Sequence, residues 1–320
     1  YEPLEGEHLP AVLNAEGHHP AGNALPMKQV RCINLAKRGI VALSYEFLGM
    51  GQLGVANGHG RLSQLSACGV NGVGIFYLIM KRALDILLDL PRVDRSRVAM
   101  TGCSGGGWQT ILLSSLDTRI TAAAPVAGHS PLWQRIFHIE DIGDQEQLPP
   151  DLARFADFDV LTAMMAPRPC LLIYNHYDDC CFQSERTIES VYRRALPVYE
   201  LLGCPDALRF HDCLFPRSHN YDQGNREQFY RFLAERWTLP APASEIPSED
   251  EALSEAEVAI VLPDDNATLL TLAREAVVRC RASRRLARAR TLETRRARLA
   301  ELLRLPALSL DALELGEAAE

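Results

Sequence analysis

Ser104 is the residue whose surroundings most strongly suggest chemistry. It lies in Gly102-Cys103-Ser104-Gly105-Gly106, which matches the pattern G-x-S-x-G. A serine hydroxyl is a useful nucleophile only when a base removes its proton and a third group holds that base in one tautomer. Small residues around the serine let a strand turn sharply into a helix with the hydroxyl exposed at the apex. The pattern predicts a nucleophile elbow, and the alternative is a glycine-rich turn that serves only close packing.

The partners of such a serine should follow it in the order acid, then histidine. A strand predicted over 170–175 is followed by NHYDDCCF, which places Asp178 and Asp179 at the carboxyl edge of a sheet, where sites of α/β proteins lie. His219 follows in a polar turn between the next strand and a helix, where a catalytic base is expected. Neighbouring side chains of an extended loop point in different directions, so only one aspartate can reach His219. The alternative for His219 is an ordinary turn histidine.

Acyl transfer at a serine also needs backbone N–H donors for the developing oxyanion. The first donor is usually the residue after the nucleophile, here Gly105, and the second comes from the first strand–helix loop. Gly17 and His18 lie in that loop, so His18 would act through its amide. The neighbouring pair His18-His19 could also suggest a metal, but no third ligand follows at a workable spacing. Substrate contact or loop packing is therefore favoured, and the sequence predicts neither a metal nor a cofactor.

These residues need a scaffold that brings them to one edge. Short β-rich runs alternate with helical stretches up to residue 238, which is typical of a mostly parallel, doubly wound α/β sheet. Strands are predicted at 11–15, 40–45, 97–102, 120–126, 170–175 and 207–213, and helices at 27–38, 71–89, 107–116, 184–202 and 223–237. Residues 129–168 interrupt this alternation. They predict either an insertion that covers the site or a plain surface excursion.

The composition changes after residue 238. Residues 239–263 are rich in Pro, Ala, Ser and Glu and predict a linker. Residues 264–320 predict a helical extension, with Asp264-Asp265-Asn266 as N-cap residues of a long helix over 267–304. Eleven arginines crowd 274–304, and a solvated face is favoured over nucleic-acid binding. The leucines of this helix need a packing partner, which is either the catalytic domain or a further domain or partner.

Composition disfavours several classes of function. The 320 residues, 47% of them hydrophobic, suffice for one large core or for one core and an appendage. A formal net charge of −8 disfavours a general binder of nucleic acid or of a membrane surface. No apolar run approaches the roughly 18–20 residues of a membrane span. The predicted partner is therefore a neutral or small substrate, with no nucleic acid and no membrane.

The nine cysteines form no CxxC pair and show no Cys/His ligand spacing, which disfavours a structural zinc. Cys180-Cys181 stand next to the candidate acids. Packing is their favoured role, and a redox role is the alternative. The chain begins with Tyr1, and no compartment is predicted from it.

Four segments carry a resemblance to a known family: VDRSRVAMTGCSGGGWQT, LTAMMAPRPCLLIYNHYDDCCF, SHNY…REQFYRFL and, upstream, GHHPAGNA. They resemble the acetyl xylan esterase-like branch of the α/β-hydrolase superfamily, near dienelactone hydrolase-type and prolyl oligopeptidase-type domains. The resemblance covers residues 1–238 and implies an α/β-hydrolase fold and carboxylic-ester hydrolysis by Ser104, Asp178 and His219. Relatives commonly place the acid in a G-x-x-D turn after the strand, and here Asn175 takes the glycine position, which selects Asp178.

The resemblance has one clear departure. EFLGMGQLG, residues 46–54, stands where relatives tend to carry an Asp/Arg/Gly-type turn, which leaves the substrate side of the site open. The first strands of such a domain would precede the chain. Acetylated sugars are the commonest substrates associated with this family, so the predicted partner is a small-molecule or carbohydrate ester. A peptidase or amidase on the same triad and a catalytically inactive binding module are the alternatives.

Overall fold

A computed structural model describes residues 1–54, 57–149, 151–240, 242, 244–288 and 291–303. The strands of these residues form one six-stranded sheet in the order β2-β1-β3-β4-β5-β6, and all paired neighbours run parallel. They are β1 (Leu9–Ala15), β2 (Val41–Tyr45), β3 (Val93–Cys103), β4 (Ala122–Val126), β5 (Cys170–Asn175) and β6 (Leu208–Cys213). Continuous burial of β1, β4 and β5 is typical of a parallel sheet covered on both faces. The predicted α/β architecture is confirmed.

Helices cover both faces of this sheet. The longer ones before the tail are α1 (Pro26–Lys37), α4 (Gly72–Asp89), α5 (Gly105–Leu116), α10 (Arg193–Leu201) and α11 (Gln223–Trp237). Short helices are α2 (Gly51–Gly54), α3 (Leu62–Ala67), α6 (Leu132–Arg135), α7 (Leu152–Phe155), α8 (Phe158–Ala163) and α9 (Ser184–Thr187). Apolar residues of α1 and α11 pack on one face, and those of α4, α5, α8 and α10 pack on the other.

The strand order places one edge of the sheet at a topological switch point. The chain proceeds from β1 outward to β2 and then returns to the other side of β1 as β3. Ala15 at the end of β1 pairs with Gly102 near the end of β3. The loop after β1 and the turn after β3 therefore lie side by side, at the carboxyl edge where α/β proteins bind ligands.

The segment between β4 and β5, where the sequence predicts either an insertion over the site or a surface excursion at 129–168, is called the insertion below. It contains α6, α7 and α8 and two 3-10 turns, Ile139–Asp141 and Gln145–Gln147. The second turn packs against α3 and α4, which belong to the segment between β2 and β3. The insertion thus reaches across the carboxyl edge toward the loops that follow β1 and β2.

The tail lies against the α/β domain. Arg38, which follows α1, and Asn34 of α1 donate hydrogen bonds to the carbonyls of Ser244 (2.5 Å) and Ile246 (2.9 Å), within the predicted linker. After α12 (Glu255–Val258) follow α13 (Leu269–Arg288) and α14 (Leu292–Leu303). Apolar residues at the start of α13 are buried beside α3. The domain limits at 239 and 264 stay predictions, and residues 304–320 lie outside the described residues.

The prediction of one helix over 267–304 with Asp264-Asp265-Asn266 as its cap is wrong. The first helix begins at Leu269, and the Thr268 hydroxyl accepts a hydrogen bond from the Thr271 amide (3.1 Å). Residues 289 and 290, between α13 and α14, are outside the described residues. None of the described helices is both long enough and apolar enough to cross a membrane.

Candidate active site

Ser104 occupies a sharp turn between β3 and α5. Its φ of 58° and ψ of −121° lie in a region that residues with a side chain rarely adopt. Two backbone hydrogen bonds hold it there: its amide donates to the Val126 carbonyl (2.9 Å), and its carbonyl accepts from the Trp108 amide (2.9 Å). The strand, turn and helix predicted around Ser104 are therefore present.

The glycines around Ser104 are explained by close backbone contacts. A Cβ on Gly102 or on Gly106 would lie 2.4 Å from the carbonyl oxygen of Ala15. A Cβ on Gly107 would lie 2.5 Å from the carbonyl oxygen of Val126. Only glycine lets α5 begin this close to the ends of β1 and β4, because no other residue lacks the Cβ.

Asp178 and His219 form a hydrogen-bonded pair. Asp178 Oδ2 lies 2.8 Å from His219 Nδ1, and the Asp178 carboxylate is buried. Its Oδ1 accepts hydrogen bonds from the amides of Cys180 (2.9 Å) and Cys181 (3.0 Å), and Asn175 Nδ2 donates to Oδ2 (3.1 Å). Four donors thus fix the carboxylate, which leaves it as an acceptor that orients the imidazole.

Asp179 makes a different contact. Its Oδ1 accepts a hydrogen bond from the backbone amide of His219 (2.7 Å), whereas its carboxylate has no hydrogen bond to the imidazole. Of the two aspartates, Asp178 therefore faces the ring and Asp179 holds the backbone of the histidine loop. This is the division of contacts that the sequence predicts, although Asp179 binds the His219 loop rather than its own turn.

Burial and charge act in opposite directions on this pair. Burial disfavours the charged forms of both groups, but their mutual hydrogen bond and opposite charges outweigh it. The pKa of Asp178 is consequently lowered and that of His219 is raised. The His219 Nε2 atom is buried and has no hydrogen-bond partner among the described residues. It is therefore free to take a proton from a group in front of it.

Ser104 and His219 line one small cavity of about 140 Å³. The loop after β1 forms another wall, because a Cβ on Gly17 would lie 2.5 Å from the Cys103 carbonyl and 3.4 Å from the Gly105 nitrogen. The first amides of α5 have no partner inside the helix. His18 also lines the cavity, so the structure brings the predicted residues Ser104, Asp178, His219, Gly105 and His18 together at the carboxyl edge.

Three charged residues of this cavity were not predicted. Glu16 is buried, and its carboxylate pairs with Lys28 Nζ (3.0 Å) and with the Arg31 guanidinium (3.2 Å). Two cations face one carboxylate, so this wall retains a positive charge. The sequence did contain a signal for this pair of cations. Lys28 and Arg31 lie three residues apart in a helix that faces the sheet, and residues at that spacing lie on one side of a helix.

Cys180 lies close to His219 and carries a more acidic thiol than usual. Cys181 donates a hydrogen bond to Cys180 across a sulfur–sulfur distance of 3.1 Å, and the nearby imidazole adds positive charge. Together they lower the pKa of Cys180 to about 6. Both cysteines are free thiols, with Cys180 exposed and Cys181 buried. The choice between packing and redox roles stays open.

The segment 46–54 includes α2 and carries Glu46. The Glu46 carboxylate accepts a hydrogen bond from the Asn23 amide (3.2 Å) in the loop after β1. A Cβ on Gly22 would lie 2.0 Å from the carboxylate, and one on Gly51 would lie 2.4 Å from it. The loops after β1 and β2 are therefore joined through Glu46.

Comparisons with known proteins agree with this architecture. Residues 74–155 match the family model of acetyl xylan esterase (AXE1), and this segment contains the Ser104 turn. None of the curated proteins matches the sequence. Three solved structures share the fold at low sequence identity: Methylesterase BT1017, the acetyl xylan esterase from Paenibacillus sp. R4 and the glucuronoyl esterase catalytic domain from Hypocrea jecorina.

The methylesterase has a TM-score of 0.62 at 23% identity, covering 79% of this chain and 53% of that one. For the acetyl xylan esterase the TM-score is 0.50 at 18% identity, over 73% and 77% of the two chains. For the glucuronoyl esterase it is 0.53 at 16% identity, over 77% and 70%. The chain thus spans about half the length of the methylesterase. The family match over residues 74–155 supports the predicted resemblance to acetyl xylan esterases, and the solved structures show that the chain shares their α/β fold.

Proposed function

We propose that this protein is a serine esterase that removes short acyl groups, acetyl above all, from carbohydrates. The observation that carries the proposal is the pairing of Asp178 with His219 Nδ1 at 2.8 Å, with Ser104 lining the same cavity as His219. A carboxylate, an imidazole and a strained serine in this chain order are the parts that acyl transfer requires.

The reaction follows from these positions. His219 Nε2 takes the proton of the Ser104 hydroxyl while the oxygen attacks the acyl carbon, and Asp178 stabilises the imidazolium. The amides of Gly105 and His18 donate hydrogen bonds to the oxyanion. His219 then returns its proton to the leaving sugar oxygen, and the acyl group stays on Ser104. Water, deprotonated by His219, attacks this acyl-enzyme and releases the acid and the free serine.

The size of the cavity supports a short acyl group. Its volume of about 140 Å³ is well below the roughly 300–1,000 Å³ of sites that enclose drug-sized ligands. An acetyl group fits such a space while the sugar stays outside the cavity mouth. Long acyl chains would need the cavity to widen.

A second candidate substrate is a methyl ester of an acidic sugar. Lys28 and Arg31 leave a positive wall beside Ser104, and a neighbouring uronate carboxylate would complement it. Two of the similar structures are named as a methylesterase and a glucuronoyl esterase. In this reaction the sugar supplies the acyl group and methanol leaves.

The first experiment tests the nucleophile. A fluorophosphonate probe should label the wild-type protein at Ser104, as located by peptide mass spectrometry, and should not label Ser104→Ala. The control requires that both proteins have the same circular dichroism spectrum and Tm. A folded wild-type protein that takes no label would overturn the proposal, and with it the alternative of a serine peptidase or amidase.

The second experiment tests the substrate. Turnover of p-nitrophenyl acetate, butyrate and longer esters is compared with that of acetylated xylan, a uronic acid methyl ester and a peptide amide. We expect the acetyl esters to give the highest kcat/KM. A preference for the uronate methyl ester would select the second candidate, whereas faster cleavage of the amide would refute the esterase.

A further inference from the structure

A second cluster of polar side chains lies behind the loop that carries His18. His18, His59, Asp144 and Glu146 each place one nitrogen or oxygen atom within 4.8 Å of the others. They come from three separate parts of the fold: the loop after β1, the 3-10 turn His59–Arg61 before α3, and the insertion. We propose that these four side chains bind a divalent transition-metal cation, with zinc as the best fit.

The distances from the two histidine nitrogens are close to those between the ligands of a tetrahedral site. His18 Nε2 lies 3.1 Å from His59 Nε2, 3.2 Å from an Asp144 oxygen and 3.3 Å from a Glu146 oxygen. His59 Nε2 lies 3.0 Å from the other Glu146 oxygen and 3.8 Å from Asp144. Zinc bonds of 2.0–2.2 Å in a tetrahedron put neighbouring ligand atoms about 3.3–3.6 Å apart. A cation can therefore enter at the centre with small shifts of the side chains.

Glu146 is the second observation that points to a cation. Its side chain is 0% exposed, and neither carboxylate oxygen has a hydrogen bond of acceptable geometry among the described residues. A buried carboxylate without hydrogen bonds is costly, because it has lost its hydration. Both oxygens instead face imidazole nitrogens across distances that a shared metal ion would span.

The two histidines add to this argument. His18 and His59 point Nε2 at Nε2, so only one proton can lie between the two rings. If both rings were protonated, their N–H groups would point at each other. Two neutral rings can instead direct both Nε2 lone pairs at one cation, which satisfies all four side chains at once.

The donor set selects among metals. Two imidazoles and two carboxylates are an ordinary set for zinc and its neighbours among the first-row transition metals, whereas calcium and magnesium prefer oxygen ligands alone. Asp144 is half-exposed, which gives the ion a path from solvent. The cluster shares His18 with the cavity that Ser104 and His219 line, but no step of the ester hydrolysis proposed above uses the His18 imidazole or the other three side chains.

The position of the site suggests its effect. The His18 ring packs against Phe47, with ring centroids 4.7 Å apart, and a Cβ on Gly105 would lie 3.1 Å from it. A cation held by His18 and by the insertion would therefore fix the insertion on the loop that forms the oxyanion wall. This consequence for activity rests on the proposed function, whereas metal binding itself does not.

The test measures metal content in the full chain. Wild-type protein incubated with zinc and then dialysed should retain one zinc per chain by inductively coupled plasma mass spectrometry. Glu146→Gln should retain at least tenfold less, because it removes the buried charge. The matched control is Glu140→Gln, the same substitution in the same insertion but outside the cluster, which should retain zinc as the wild type does. If Glu146→Gln does not fold, the half-exposed Asp144→Asn replaces it.

A second readout is stability. Zinc added to chelator-treated wild type at a hundredfold excess over Kd should raise the Tm by about 5 °C, and the increase should be absent in the Glu146 variant. Ser104→Ala should bind zinc normally, so a failure of the esterase proposal leaves this result intact. Wild type that retains neither zinc, manganese nor cobalt would overturn the site, as would equal retention by the Glu146 and Glu140 variants. Either result would mean that hydrogen bonds and ion pairs of protonated histidines, and not a metal ion, hold the four side chains together.

Discussion

Replacing Asp178 by Asn tests the geometry of the acid–base pair most directly. In the wild type, Oδ1 faces the amides of Cys180 and Cys181, and Oδ2 faces His219 Nδ1. The asparagine oxygen should keep the two amide hydrogen bonds, because an NH2 group there would meet two donors. The new NH2 would then point at His219 and would oppose the Nδ1–H tautomer. Nε2 would carry the proton and could not accept one from Ser104.

The loss of the Nδ1–H tautomer of His219 determines the expected decrease in kcat. A triad whose aspartate becomes asparagine typically loses about 10⁴ in kcat, which corresponds to roughly 5 kcal/mol of transition-state stabilisation. The pH profile should change as well. Burial lowers the pKa of His219, but the hydrogen bond and charge of Asp178 outweigh it and raise the pKa above the ordinary 6.5. Because the neutral ring is the base, wild-type kcat/KM should fall with decreasing pH around a midpoint above 6.5. In the variant this midpoint should move down.

The assay is hydrolysis of p-nitrophenyl acetate from pH 5 to 9, with Asp179→Asn as the matched control. Asp179 accepts one hydrogen bond from the His219 amide, which an asparagine oxygen can also accept. The control should therefore keep kcat within about tenfold of wild type, since a single exposed hydrogen bond contributes about 1 kcal/mol. A dead Asp179 variant beside an active Asp178 variant would refute the assignment of the acid.

Three further predictions concern the elbow, the thiols and the tail. Gly107→Ala should destabilise the protein by about 2–3 kcal/mol in urea unfolding, because its Cβ would strike a backbone carbonyl of β4. Gly224→Ala, at the start of α11 with nothing within 4 Å, should be neutral or stabilising by up to about 1 kcal/mol. Iodoacetamide should alkylate Cys180 faster than the exposed Cys280, because the thiolate is the reactive form; equal rates by peptide mass spectrometry would contradict this. A chain ending at Leu239 should keep its esterase activity but have a lower Tm, because it loses the buried start of α13; a folded but inactive truncation would show that the tail reaches the site.

The strands were predictable because most have an apolar run of the right length, whereas β6 mixes apolar and polar residues. The predicted strand 170–175 coincides with β5, whereas β3 begins at Val93, four residues before its prediction at 97. The residues from 94 to 97 are polar and at least partly exposed, and pairing with β1 shifts register there. The apolar pattern therefore predicted only the buried part of β3. The exposed beginning of β3 depends on its pairing with β1, which the periodicity of the sequence does not reveal.

The helices differ from their predictions where tertiary contacts override the local preferences of the sequence for helix and cap positions. The predicted helix 184–202 is divided into α9, a π-helical segment Ile188–Tyr192 and α10. The tail helix begins at Leu269, whose amide donates to the Asn57 side chain (2.8 Å). Asp264 and Asp265 are good cap residues by preference, but the position of α13 against α3 decides where the helix starts.

The candidate triad and the four-residue cluster differ in how the sequence encodes them. Ser104, Asp178 and His219 each follow a predicted strand, so the order of strands in a parallel sheet suffices to bring them to one edge. In the pair His18-His19, only His18 enters the cluster, while His19 Nδ1 accepts from the Ala21 amide (3.1 Å). The other ligands of the cluster come from the loop after β2 and from the insertion, and no strand leads to Asp144 or Glu146 directly. The sequence near His18 therefore contains no third ligand, because the path of the insertion is set by its packing on α3 and α4 and not by the periodicity of the sheet.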